Sequence, residues 1–352
     1  MITLTDCLKQ AVAGQASDLF IVSGSPVCVK QEGHILPVNT EKLMPPQTRQ
    51  FISEIYALAK RPMDAIETKG DDDFSFAISG LARFRVSAYR QRGSLAAVVR
   101  VVSFDIPNWQ TMRIPEAVME LASVTHGMVL VTGTAGSGKS TTQACIIDRI
   151  NKTRDCHIIT LEDPIEFLHR DQKSIISQRE IAVDTADYLS ALRACLRQAP
   201  DVILLGEMRD PETIRTAITA AETGHTLIAT LHTKGAVNSI DRIIDSFPSS
   251  QQAQIRIQLS SVLRTVVSQE LLPDKNGSMV PAFEIMHTNS AIRSLIRDSR
   301  NYQIDTVISS GGSEGMISMD QSILALYRSG VITRETALDH AVNPEQMQRQ
   351  LG

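Results

Sequence analysis

Apolar positions recur at Leu4, Leu8 and Val12 behind the candidate caps Thr3 and Thr5, and that spacing predicts an amphipathic helix ending near Gly14. Beyond it the period shortens. Residues 18–22, 27–31, 73–78, 82–89 and 95–102 read as short strands, with one helix at about 47–59 between them. This order predicts a small α/β domain over 1–104. The stretch DIPNWQTMRIP, residues 105–115, holds two prolines and the only tryptophan, and is expected to be a linker. From His126 onward the rhythm changes again. Apolar runs at 128–132, 158–161, 202–205 and 226–231 alternate with helix-compatible segments, which predicts a mainly parallel sheet covered by helices on both faces. Residues 251–272, and everything after about Ala291, read as mostly helical. The second domain is therefore expected over 116–275, with a mainly helical part over 276–352.

Composition adds bounds rather than shape. With 352 residues, 43% hydrophobic and 21% charged, the chain can bury two substantial cores. The 35 basic and 39 acidic residues leave a net charge of -4, so no positive excess exists to condense onto DNA or anionic lipid, and nucleic acid is not an expected partner. Cys7, Cys28, Cys145, Cys156 and Cys195 are odd in number and widely spaced, without the C-x-x-C pairs of structural zinc or redox sites. A reducing cytoplasm is the expected compartment. The first residues lack the basic and apolar regions of an export signal, and no apolar run approaches the roughly 18 residues of a membrane span. Any membrane association is expected to run through partners.

Chemistry concentrates in the second domain. The segment MVLVTGTAGSGKSTT sets Gly133, Gly138, Lys139 and Ser140 in a G-x-x-x-x-G-K-S pattern between an apolar strand and a helix-compatible stretch. Across Gly133, Thr134, Ala135, Gly136, Ser137 and Gly138 the glycines let successive N–H groups curl around phosphates, and the following helix adds its dipole. Lys139 is suited to the β and γ oxygens and Ser140 to magnesium, and Thr141 is expected among the nucleotide-binding residues. The expected ligand is a nucleoside triphosphate with Mg2+.

Hydrolysis needs further groups to align water and hold metal. TLEDPIEFLH puts Glu162, Asp163 and Glu166 just past the strand 158–161, at the end where parallel sheets bind ligands. DVILLGEMRD ends another buried strand with Glu207, and Gly206 takes the position of the aspartate usual in P-loop enzymes. A lone carboxylate is commonly an ion-pair or capping group; two clusters on strands of one sheet point to metal and water instead. TGHTLIATLHT sets His225 and His232 on either side of the strand 226–231. A histidine there is ordinarily a satisfied polar group, yet its ring can also donate to a phosphate oxygen or meet a neighbouring subunit.

The series GTAGSGKSTT, TLEDPIEF, DVILLGEMRDPETI and AAETGHTLIATLHT, in this order and spacing, resembles the secretion ATPase superfamily of type II secretion and type IV pili. There these segments are the Walker A, Asp box, Walker B and His box. The resemblance runs from ASDLFIVSG to VVSQELL, and AIRSLIRD looks like the AIRNLIRE motif of pilus-retraction ATPases that power twitching motility. The lack of a tetracysteine zinc insertion and of a long N-terminal extension also fits retraction. What the resemblance implies is a homohexamer of subunits that join a PAS-like N-terminal domain to a RecA-like P-loop ATPase domain with a helical C-terminal appendage. Its ATP chemistry would use Glu166 to align water, Glu207 to position magnesium through water with Ser140, and His232 and His225 as the His box. Arg85 and Arg100 match the spacing of the family's arginine pair, with Arg83 on the same strand face as Arg85; a solvated strand face is the alternative. The implied partners are an inner-membrane pilus platform protein and a paralogous retraction ATPase. Departures from the family pattern are Thr134-Ala135 for Pro-Thr, Phe20 for histidine, Lys234 for asparagine, and Ser294 and Asp298 in the retraction motif.

Overall fold

The computed structural model describes residues 2–31, 33–102 and 105–352. Met1, Glu32, Ser103 and Phe104, all in the expected N-terminal domain, lie outside them. The helix Leu4–Ala13 begins where Thr3 Oγ1 accepts the Asp6 N–H at 3.2 Å, and it buries Leu4, Cys7, Leu8 and Ala11. Six strands follow: β1 Asp18–Ile21, β2 Cys28–Gln31, β3 His34–Pro37, β4 Asp71–Ile78, β5 Ala82–Gln91 and β6 Ser94–Val102. They form one antiparallel sheet in the order β3-β2-β1-β6-β5-β4. Alternate residues of β4, β5 and β6, among them Phe74, Phe76, Phe84, Val86, Ala97 and Val99, pack against Leu8, Ile52, Ile55 and Tyr56 of the helices Leu4–Ala13 and Pro45–Leu58. Two elements go beyond the sequence reading, the wholly exposed strand β3 and the short helix Asp64–Lys69.

A second sheet is built from β7 Gly127–Thr132, β8 His157–Glu162, β9 Ile175–Glu180, β10 Val202–Leu205, β11 Thr226–Leu231, β12 Leu263–Pro273 and β13 Met279–His287. Its order is β13-β12-β7-β11-β10-β8-β9, parallel throughout except for β13 at one edge. Every residue of β7, β10 and β11 is buried, as a sheet covered on both faces requires. One core lies on the side of Ile214, Ile218, Ile240, Ile243 and Leu259; the other lies under the helix Lys139–Thr153, where Ile146, Ile147 and Ile150 meet Val129, Val131 and Ile228.

The expected helix over 251–272 is corrected. A helix spans Ser249–Val262, and the chain then turns directly into β12. Strand β12 is buried on both sides, so its apolar residues show no alternation, and such a run cannot be told from a buried helix by periodicity. Strand β13 was also not read from the sequence. The chain divides into two units, Met1–Asp105 with Glu166–Leu168, and Ile106–Ile165 with His169–Gly352. Ile106 and Trp109 of the stretch 105–115 pack on the second unit's core, beside Ile114.

Candidate functional site

The parallel register decides what can meet. Thr132 pairs with Leu231, Ala229 with Leu205, and Leu205 with Leu161, so β7, β11, β10 and β8 end along one edge. From those ends emerge the loop at Gly133, then His232, Glu207, and Glu162 with Asp163. This is the edge where open α/β sheets bind ligands.

The loop from Gly133 to Gly138 is shaped by close packing on β12. Gly133 has φ +141°, and a Cβ there would lie 2.3 Å from the Gln269 carbonyl oxygen and 2.6 Å from Ser137 Oγ. Gly138 has φ +86° and would bring a Cβ to 2.8 Å from Gln269 Nε2. Neither position admits a side chain. Thr142 Oγ1 donates to Gln269 Oε1 at 2.7 Å, so one buried glutamine anchors both the loop and the first turn of the helix Lys139–Thr153. Lys139 Nζ donates to the carbonyls of Gly133 and Thr134 at 2.8 and 2.7 Å. The hydroxyls of Ser137 and Thr132 are buried without a hydrogen-bond partner among the described residues. Beside this loop a cavity of about 380 Å3 is lined by Gly138, Thr141, Thr142, Gln269, Met112 and Arg113.

Glu207 is the centre of a second cluster. Arg209 Nε donates to its Oε2 at 2.7 Å, and His232 Nε2 lies 3.3 Å from its Oε1. Gly206, just before it, is close to Tyr188: a Cβ would stand 2.9 Å from Tyr188 Oη and 3.0 Å from the Leu161 carbonyl oxygen. Thr230 Oγ1 donates to the Gly206 carbonyl, tying β11 to this turn. Burial, followed by the charges of Asp163 and Glu207, pushes the Tyr188 phenol above its ordinary pKa. Glu162 accepts from Thr160 Oγ1 at 2.5 Å and from Gln178 Nε2 at 3.3 Å, while Asp163 and Glu166 are exposed.

A nucleotide-type loop, two carboxylate-bearing strand ends and a histidine on one edge can be compared with known proteins as a set. Residues 1–290 match the model of the family described as type II/IV secretion system protein. The chain belongs to the type II/IV secretion system protein family. Within this family it is similar to the type IV pilus retraction ATPase PilT of Pseudomonas aeruginosa, 41% identical over 342 residues, 97% of this chain and 99% of that protein. It also resembles the type IV pilus ATPase PilU of the same organism, 38% identical over 95% of this chain and 87% of the other. Among solved structures, that of the pilus retraction motor PilT with bound ADP superposes with a TM-score of 0.90 at 41% identity, covering 99% of this chain and 100% of that one. The chain is a PilT-like member of the secretion ATPase family.

The secretion-family motifs are distributed unevenly in space. The Gly133 loop, Glu162 with Asp163, Glu207 and His232 share one edge; His225 does not. It precedes β11, so the parallel strand holds it at the opposite edge of the sheet, where its carbonyl accepts the Gly127 N–H at 2.9 Å and its Nδ1 lies 3.0 Å from the Ala220 carbonyl. A strand cannot bring both of its ends to one edge, so His225 and His232 stand apart in the subunit. Arg85 and Arg100 belong to the first unit and stand directly opposite each other on β5 and β6, on the face that Arg83 shares. Arg100 Nε donates to the buried Asp18 at 3.0 Å. Gln269 and Arg209 escaped the sequence reading. A polar residue inside the apolar run VVSQELL was the available signal for the first, and the arginine of GEMRD for the second.

Proposed function

We propose that this chain is the subunit of a homohexameric motor that hydrolyses ATP to retract type IV pili, working at the cytoplasmic side of the inner membrane against a pilus platform protein. A paralogous retraction ATPase is a further candidate partner. The observation that carries the reading is the loop from Gly133 to Ser140, held open by glycines against Gln269 at the edge that also carries Glu207 and His232. Likeness to PilT over the whole chain supports the direction of work.

The residues present fit a magnesium-bound triphosphate. Two buried hydroxyls, of Ser137 in the loop and Thr132 just before it, have no hydrogen-bond partner among the described residues, and the Lys139 ammonium rests on carbonyls that phosphate oxygens can replace. The cavity beside Thr141 and Arg113 suits the nucleoside. Ser140 and Glu207 would hold magnesium, and the ion would supply charge that neutralises the phosphates. In the step itself Glu166 aligns the water and takes its proton, the new P–O bond forms at the γ phosphorus, and the bond to the ADP oxygen breaks. Lys139 stabilises the charge that gathers on the leaving oxygens, Arg85 and Arg100 are candidates to add to it, and His232 keeps Glu207 in register. Phosphate release by the purified chain with ATP and Mg2+ tests this. Lys139→Ala is expected to abolish turnover, and Glu166→Gln to bind ATP normally while losing at least about a hundredfold in rate. Wild-type hydrolysis by Glu166→Gln would sink the assignment of Glu166.

A further inference from the structure

Strand β9, the polar edge of the second sheet, has a sequence unsuited to its place. Thr160 and Glu162 of β8 pair with Gln178 and Glu180 of β9, and the two-residue period puts all four side chains on one face. Thr160 is fully buried and Glu180 is 4% exposed, where a covered parallel sheet ordinarily carries valine or isoleucine. A buried carboxylate persists only where it is hydrogen-bonded.

The bonds lead to the Asp box. Glu180 Oε2 accepts the Ile165 N–H at 3.2 Å. Gln178 Oε1 accepts the His169 N–H at 2.8 Å, and its Nε2 donates to Glu162 Oε1 at 3.3 Å. Ile165 and His169 lie outside any strand or helix, so these side chains satisfy backbone amides that no ladder reaches. The two anchored amides bracket residues 166–168, with Glu166 next to the first of them. We infer that Gln178 and Glu180 are positioning residues that fix the Asp-box loop from both shoulders and so set where Glu166 holds its water. This rests on the reading of Glu166 given above, and it assigns β9 a part in turnover rather than in nucleotide binding.

The test is hydrolysis of ATP with Mg2+ by the full chain carrying Glu180→Ala, Glu180→Gln or Gln178→Met, each alone and combined with Glu166→Gln. Glu180→Ala and Gln178→Met are expected to lower kcat by about tenfold to a hundredfold, the scale of a misplacement near 1 Å. KM and the affinity for a non-hydrolysable ATP analogue should stay within about twofold. Glu180→Gln, whose amide oxygen can still accept the Ile165 N–H, should recover most of the rate. In the Glu166→Gln background the added substitutions should cost less than about twofold, since the group they position is already gone. Unchanged kcat in both Glu180→Ala and Gln178→Met, an undiminished penalty in the Glu166→Gln background, or a parallel loss of nucleotide affinity overturns the inference. A dead Glu166→Gln beside fully active β9 variants overturns it alone; an active Glu166→Gln overturns the reading of Glu166 as well.

Discussion

His169 ends the span that β9 brackets, and burial lowers its imidazole from the ordinary 6.5 to about 4, against a smaller opposite pull from Asp148. Below pH 6.5 the unfolded chain takes up a proton that the folded chain refuses until about pH 4. Stability is therefore lost across that window as pH falls, by up to roughly 3 kcal/mol. Urea unfolding of wild type and His169→Asn at pH 7 and at pH 4.5 should show a smaller acid loss in the variant. At the same scale, the Thr134 departure from the family pattern is mild. The contact it makes with Lys139 is through its carbonyl, which a proline would offer equally. Gly206 explains itself in a similar way: Tyr188 Oη and the Leu161 carbonyl occupy the space that an aspartate would need.

Among the elements, the central strands were legible because they are short, apolar and bounded by the motifs themselves. Strand β9 was not, since IISQRE gives only Ile176 of its inward positions to the core, while Gln178 and Glu180 serve a loop. Strand β12 was hidden by the opposite problem, burial on both sides. The place of His225 was open to reading: it precedes its strand while the phosphate loop follows its own, and parallel strands set those positions at opposite edges. No sequence pattern revealed that His232 meets Glu207, because that depends on two strands ending level. The segment AIRSLIRD, open between packing and retraction roles, forms the helix Ser290–Arg297 with Ile292, Leu295 and Ile296 buried, and Asn289 Oδ1 accepts the Ile292 N–H at 3.0 Å. Asn289→Ala should cost about 1 kcal/mol in urea unfolding, with ATP hydrolysis by the isolated chain unchanged.

For the whole molecule the question is direction of work. Among the described residues no helix is long and apolar enough to cross a membrane. A deletion strain should keep or accumulate pili while losing twitching, and wild type but not Lys139→Ala should restore movement. A strain without pili would favour an assembly motor instead. The bracketing of residues 166–168 by β9 limits such motion in a further way. With Ile165 and His169 as fixed pivots, the intervening chain is only four Cα steps long, about 14 Å at full stretch. A span that short cannot open as a flap, and Glu166 is never more than one residue from an anchored amide.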